Sequence, residues 1–412
     1  MSEVIATYVL EGQQPLERAA EILAGEQSTG TFVRVARESD EILEQYAARL
    51  VSFKSIPPSG LTPLHGFSGD PSKLERAEVK LSFPLDNFGP SIPNLLAAVA
   101  GNLFEIKELA GVRLVDLDLP DEFGDQYLGP GFGISGTREL MSRKSGVLIG
   151  TIIKPSIGLT IDQLTALVTE LVDAGIDFIK DDELQGNGPK SPLEARIRAV
   201  MPVLDGYADR TGRKPMYAFN ITDDLATMRK NHDLVLEAGG TCVMACVNLI
   251  GLAGLEELRS YSQLPIHAHR TMFGSFGRSE QIGIAFKAWQ KLARLCGADH
   301  LHTNGISNKF YETDAEVLKA INDVRTPLLG LTPTVPVLSS GQWAGLAHDT
   351  YAATGTTDML VLAGGGIHGH PLGSAAGVAS MRDAWAAAER GISLKEAVGH
   401  SVALREAVAA FG

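Results

Sequence analysis

From about residue 140 onward the chain repeats one rhythm: a short apolar run, then a stretch long enough for a helix. The runs fall at 147–153, 176–179, 216–219, 242–247, 264–268, 300–302, 335–338 and 359–363. The stretch after the first shows the helical spacing best, with Ile161, Leu164, Leu167, Val168, Leu171 and Val172 on one face. Thr160 with Gln163 three residues on predicts a capping box, and Gly175 predicts the end of that helix. Apolar strands alternating with helices imply a parallel sheet covered on both faces. Eight of them in roughly 270 residues imply a closed (β/α)8 TIM barrel. The shortness of the sixth run leaves an open, doubly wound sheet as the alternative.

Residues 1–135 have another texture. Glu17 to Leu23 reads as a helix, Val79 to Phe83 alternates like a strand, and Ile92 to Val99 reads as an apolar helix. The expectation is an α+β N-terminal domain over 1–135 and a barrel domain over 136–412, with the glycine- and proline-rich Gly129 to Gly133 at the seam. A balance of 36 basic against 49 acidic residues gives a net charge of −13, which argues against nucleic acid or an anionic membrane as a partner. No apolar run approaches the ~18 residues of a membrane span, and a start carrying Glu3 with no basic stretch does not read as a signal peptide. Three cysteines (Cys242, Cys246, Cys296) without metal-finger spacing suit a reducing, cytoplasmic setting. They read as buried small hydrophobes and not as nucleophiles.

In barrels of this class chemistry gathers at the C-terminal ends of the strands. Here every strand end is polar or glycine. Lys154 follows the first run and Lys180-Asp181-Asp182-Glu183 the second. Asn220 and Asn248 end the third and fourth. His267, His269 and Arg270 close the fifth, His302 the sixth, Ser339 and Ser340 the seventh, and Gly364-Gly365-Gly366 the eighth. Adjacent carboxylates suit Mg²⁺, which takes oxygen ligands. A lysine among them is out of place as an ammonium, and makes sense as a neutral amine or as an anionic carbamate formed with CO₂, a third oxygen donor. The pairs His267/His269 and His300/His302 each share a strand face; zinc chelation is one reading, and hydrogen-bonded core histidines the commoner one. Arg270 fits a phosphate clamp, and the triple glycine would let backbone N–H groups approach a phosphate at the position where such barrels often bind one.

These residues resemble the RuBisCO large chain. Gly150-Thr-Ile-Ile-Lys154-Pro-Ser-Ile-Gly158 and Gly175-Ile-Asp-Phe-Ile-Lys180-Asp-Asp-Glu183 look like its two lysine motifs. His267-Ala-His269-Arg270, His302, Ser339-Ser-Gly341 and Gly364-Gly-Gly366 follow in the family's order, and Gly101-Asn102-Leu-Phe104 matches its N-terminal Gly-Asn-x-Phe motif. The resemblance implies a ferredoxin-like N-terminal domain, a barrel, and a homodimer with active sites shared between two chains. It implies a carbamylated Lys180 that holds Mg²⁺ with Asp182 and Glu183. Lys154 would shuttle protons during enolisation and His269 would be catalytic. Arg270 and His302 would bind phosphate; Ser339, Gly341, Gly364 and Gly365 would contact substrate; Asn102 would reach the partner's site.

The departures point away from ribulose bisphosphate carboxylation. Ser156 stands where the carboxylase has a second lysine. The loop after the sixth strand, Thr303 to Lys309, is not the glycine-rich one, although Lys309 falls on the CO₂-holding position. The chain also ends earlier, at Gly412. It looks like a RuBisCO-like protein of the non-carboxylating form IV branch. The expected chemistry is Mg²⁺-dependent formation of an enolate on a small phosphorylated keto compound. Two reactions of that branch compete: decarboxylation or carbon–carbon hydrolysis of 3-oxo-isoapionate 4-phosphate, and enolisation of 2,3-diketo-5-methylthiopentyl-1-phosphate in methionine salvage. The salvage enolases carry a general-base lysine where this chain has Asn102, which favours the first, since loss of CO₂ from a 3-oxo acid needs no strong base at a C–H bond. Outside the resemblance stand a Schiff-base aldolase using Lys154 or Lys180, and a non-catalytic sugar-phosphate sensor.

Overall fold

The computed structural model describes residues 2–30, 35 and 37–412. Its first four strands are β1 (Glu3–Gln13), β2 (Arg49–Ile56), β3 (Leu74–Pro84) and β4 (Leu109–Asp118). The next five are β5 (Leu148–Ile152), β6 (Phe178–Lys180), β7 (Met216–Asn220), β8 (Cys242–Cys246) and β9 (Ile266–His269). After the short β10 (Ile282–Ile284) come β11 (His300–His302), β12 (Val335–Leu338) and β13 (Leu360–Leu362).

One compact unit comprises 1–127 together with 272–295. Its five-stranded sheet runs β10-β4-β1-β3-β2, antiparallel except for the parallel β10–β4 pair. β1 has the period of two that its central place demands: Val4, Ala6, Tyr8 and Leu10 are all fully buried. Tyr8 takes its hydroxyl into that core and donates it to the carbonyl of Val99 at 2.7 Å, as a buried polar group must.

The second unit, 128–271 with 296–412, is a closed barrel of eight parallel strands in the order β11-β12-β13-β5-β6-β7-β8-β9. Each of the eight apolar runs supplies one strand, and the short sixth run, as β11, pairs with β9 and β12, so the sheet is closed rather than open. Leu148, Phe178, Met216, Met244, Val337 and Leu360 fill the interior, as a barrel whose core is packed side chains requires. The helix Ile161–Asp173 begins with the predicted box, Thr160 and Gln163 each bonding the other's backbone N–H, and buries Leu164, Val168, Leu171 and Val172. Beyond it Gly175 takes φ +79°, a left-handed turn that favours glycine.

Residues 272–295, counted with the barrel by the sequence rhythm, group by compactness with the first unit instead. The reason is local pairing. Ile282, Gly283 and Ile284 add to β4, and the helix Phe286–Leu295 packs on the same strand, with Lys291 donating to the carbonyl of Leu117 at 2.6 Å. No helix among the described residues is long and apolar enough to cross a membrane.

Candidate active site

β6 carries the acidic cluster into the mouth of the barrel. Lys180, its last residue, is only 1% exposed. Its Nζ lies 3.0 Å from the carbonyl of Asp181, 3.1 Å from Glu183 Oε2 and 3.6 Å from the Met244 sulfur. Asp182 is buried and accepts a 2.6 Å bond from Lys154 Nζ, which also donates to Ser156 Oγ at 2.7 Å. Ser156 thus serves as a neutral anchor for the Lys154 ammonium. Burial works to raise the Glu183 carboxyl, but the Lys180 ammonium outweighs it and holds the group at about 2. Among the described residues no three His, Cys, Asp or Glu side chains converge as a ligand set. Asp182 and Glu183 are oxygen donors of the kind that suits a hard cation, and the Lys180 amine lies against Glu183.

Asp181, within the same run, faces another way. It accepts from the Tyr217 hydroxyl at 2.7 Å and from the backbone N–H of Asn220 at 2.9 Å, and pairs with the buried Arg196 at 3.3 Å. It fixes β6 against β7 and leaves the mouth to its neighbours.

His269 has a defined tautomer. Its Nδ1 accepts the backbone N–H of Thr271 at 3.1 Å, so the ring proton sits on Nε2, 3.5 Å from Glu183 Oε2. Burial and the nearby Lys180 charge push its pKa down to about 3, so the ring is neutral. Among the charges that lower Glu183, Lys180 comes first and His269 beside it second.

His267, His300 and His302 form a chain through the barrel. His300 Nε2 meets Thr137 Oγ1 at 2.8 Å, and His300 Nδ1 faces His267 Nδ1 at 3.4 Å. His267 Nε2 meets His302 Nε2 at 2.8 Å, and His302 Nδ1 meets Ser339 Oγ at 3.1 Å. All three rings are pushed down by burial, His300 to about 3. A neutral imidazole has one N–H and one acceptor, so each ring's proton fixes the next. The zinc reading gives way to this hydrogen-bonded core: the ring nitrogens already serve one another, Thr137 and Ser339.

At the ends of β9, β11 and β12 lie Arg270, His302 and Ser339. The Arg270 fork is engaged by Glu312, Nη1 to Oε1 at 2.9 Å and Nη2 to Oε2. Lys309 is exposed; its backbone N–H donates to Ser340 O at 3.2 Å and passes close beneath Gly341, whose φ is +91°. Gly364 lies beside Lys154: a Cβ there would sit 3.9 Å from Lys154 Cε. Around Gly365 the space is open, whereas a Cβ on Gly366 would meet the carbonyl of Gln342 at 2.4 Å. The triple glycine therefore splits into a packing glycine and two facing space. Asn102 is exposed at the start of the turn Asn102–Glu105, in the first compact unit.

Three positioning residues carried little or no sequence signal of their role. Asn220 Nδ2 donates to the carbonyl of Gln185 at 3.1 Å and steadies the loop that bears Glu183. Asn248 Nδ2 does the same for the backbone of Thr271 at 2.8 Å. Glu312 sits in a stretch that reads as an ordinary solvated helix start. Asn220 and Asn248 were noted as polar strand ends, which was the available clue; Glu312 offered none. The cysteines are free and buried, with burial raising the Cys242 and Cys296 thiols.

Known proteins resemble this chain over nearly its whole length. Residues 133–411 match the catalytic domain of the ribulose bisphosphate carboxylase large chain, and residues 1–123 match its N-terminal domain. The chain is 50% identical over 411 residues, 99% of each protein, to the 3-oxo-isoapionate-4-phosphate transcarboxylase/hydrolase of Xanthobacter autotrophicus. It is 40% identical over 394 residues to the 3-oxo-isoapionate-4-phosphate decarboxylase of Rhizobium rhizogenes, covering 95% of this chain and 94% of that one. A crystal structure of a rubisco-like protein from Burkholderia fungorum superposes with a TM-score of 0.92 at 41% identity, covering 99% of this chain and all of that one. With both family domains spanning nearly its whole length, this chain belongs to the RuBisCO large-chain family, among its RuBisCO-like proteins.

Proposed function

We propose that this protein is a Mg²⁺-dependent enzyme of carbon–carbon bond cleavage acting on 3-oxo-isoapionate 4-phosphate, and not a ribulose bisphosphate carboxylase. The observation that carries the reading is the joined pair Lys154–Asp182 beside a buried Lys180, in a chain half identical to an enzyme named for that substrate. Carbamylation would require the Lys180 ammonium first to give up a proton; its amine would then join CO₂ with release of a second proton. It would set an oxygen donor next to Asp182 and Glu183, and that all-oxygen set fits Mg²⁺. When bound, the cation supplies Lewis-acid stabilisation of negative charge on substrate oxygens.

The chain's own residues do the rest. Lys154 Nζ, poised between Asp182 and Ser156, delivers a proton to the carbon left behind when the carboxyl group departs. His269, with its proton on Nε2, offers a hydrogen bond to a substrate oxygen. The backbone N–H groups at Gly364 and Gly365 hold the phosphate, and the open space at Gly365 admits it. Phosphate binding energy then fixes the reacting carbon against Lys154, next to Gly364. Asn102 completes the site of the partner subunit in a homodimer, and the protein works in the cytoplasm.

The test is a pair of NMR time courses in D₂O with bicarbonate and Mg²⁺, one on 3-oxo-isoapionate 4-phosphate and one on 2,3-diketo-5-methylthiopentyl-1-phosphate. CO₂ release or carbon–carbon cleavage in the first, with the second inert, is expected. Enol formation in the second alone overturns the assignment in favour of methionine salvage. Borohydride added during turnover should trap no substrate adduct; a covalent adduct on Lys154 or Lys180 would mean a Schiff-base aldolase.

A further inference from the structure

At the ends of β9, β11 and β12 an imidazole (His302), a side-chain amide (Asn304) and two hydroxyls (Ser339, Ser340) are linked by hydrogen bonds, and Glu312 joins the guanidinium of Arg270 to Asn304. Ser339 joins His302 at 3.1 Å and Ser340 at 3.5 Å, and Ser340 Oγ donates to Asn304 Oδ1 at 2.8 Å. Donors of this kind make an anion receptor. Here the receptor is already filled by the chain itself. Glu312 Oε1 accepts from Arg270 Nη1 at 2.9 Å, and Oε2 accepts from both Arg270 Nη2 and Asn304 Nδ2.

Glu312 is not a side chain that drifts in from solvent. Its side chain is 8% exposed and that of Arg270 11%, so water and salt screen the pair weakly. Its carbonyl is tied to Asn308 Nδ2 at 3.0 Å. The next residue, Thr313, opens the helix Asp314–Arg325 with a capping box to Glu316. Removing the carboxylate from the fork therefore means disturbing a capped helix start.

We propose that Glu312 is a specificity-determining residue that stands in for a second phosphate and restricts this site to substrates with one. The inference rests on the phosphate seat at Gly364 and Gly365 proposed above. A ligand anchored there by one phosphate and carrying another at its far end brings a dianion to Arg270. That dianion must either expel Glu312 or lie against its carboxylate, and both are unfavourable. The family is named for a bisphosphate, whereas the 50% identical relative is named for a monophosphate; Glu312 gives that difference a physical basis in this chain. A far end without phosphate meets a neutralised arginine.

Isothermal titration of the full chain with ribulose 5-phosphate and with ribulose 1,5-bisphosphate tests this in the wild type, Glu312→Gln, and Arg270→Gln combined with Glu312→Gln. The wild type should bind the bisphosphate at least about tenfold more weakly than the monophosphate. Glu312→Gln should tighten the bisphosphate about tenfold or more, leaving the monophosphate within about threefold. The double variant should lose that gain, because the gain depends on the Arg270 guanidinium. An unchanged ratio in a Glu312→Gln protein with wild-type circular dichroism overturns the proposal, as does a gain that survives loss of Arg270. Glu312→Ala serves as the second variant should the glutamine misfold. If neither wild type nor variant binds the monophosphate, the phosphate seat itself is wrong and this inference falls with it. Monophosphate binding with no discrimination by Glu312 sinks the inference alone.

Discussion

Acid should destabilise this fold well before its carboxylates titrate. His267, His269, His300 and His302 are all held neutral in the folded protein by burial, with His269 and His300 at about 3. In the unfolded chain each returns to about 6.5. The folded values are depressed, so the stability these groups contribute is complete above about 6.5. It erodes as pH falls from there towards the folded value, because the unfolded state binds protons that the folded state refuses. An imidazole kept neutral down to about pH 5 costs about 2 kcal/mol on going there from about pH 7.5, and four of them cost roughly 8 kcal/mol. That is comparable to the whole stability of many domains. Urea unfolding at the two pH values, with proton uptake measured calorimetrically in buffers of different ionisation enthalpy, reads the effect directly. The uptake at pH 5 should approach four protons, and His300→Gln should remove about one of them. Equal urea midpoints at the two pH values, or uptake below about one proton, would refute the claim that the chain through the barrel is neutral.

Lys154→Met should lower kcat by about two to four orders of magnitude, as for loss of a general acid, with KM changed less than about threefold; steady-state kinetics on the NMR substrate decides it. The two glycines 365 and 366 should separate under substitution. Gly365→Ala has room for its methyl and should fold normally while weakening phosphate binding by calorimetry, whereas Gly366→Ala drives its methyl to 2.4 Å from the Gln342 carbonyl and should lower the melting temperature. Asp177 accepts from Arg143, Arg213 and Arg382 and from the backbone N–H of Ile149, all between 2.8 and 2.9 Å. Asp177→Ala should therefore cost about 3 to 5 kcal/mol in denaturant melts, the range for a broken buried ion pair.

The barrel was legible because its strands are buried on both faces, so eight near-continuous apolar runs stand out from their surroundings. The box at Thr160 and Gln163 was legible because capping is decided within four residues. Segment 272–295 was not, because nothing local says that Ile282 to Ile284 will pair with a strand some 170 residues earlier. The gathering of Lys154 with Asp182 and of Lys180 with Glu183 could be read from the rule that strand ends face the mouth. The split between Asp181 and Asp182 came only with the resemblance: physically it turns on which carboxylate meets Tyr217 of β7 and the buried Arg196. Glu312 escaped notice for the same reason, its partner Arg270 being 42 residues away and on another loop.

The pairing of β10 with β4 has a consequence for how the chain is made. The first unit's sheet is completed only when residues 272–295 have emerged, 168 residues after Tyr127. At ordinary elongation rates of about 5–20 residues per second, the ribosome takes roughly ten to thirty seconds to cover that distance. Throughout it, Val112 to Leu114 on the outer side of Leu109–Asp118 lack their native partner, part of an open edge of the kind on which chains join one another. A fragment cut after residue 127 would keep that edge permanently. Fast synthesis at high concentration is where nascent chains of this protein would stick together.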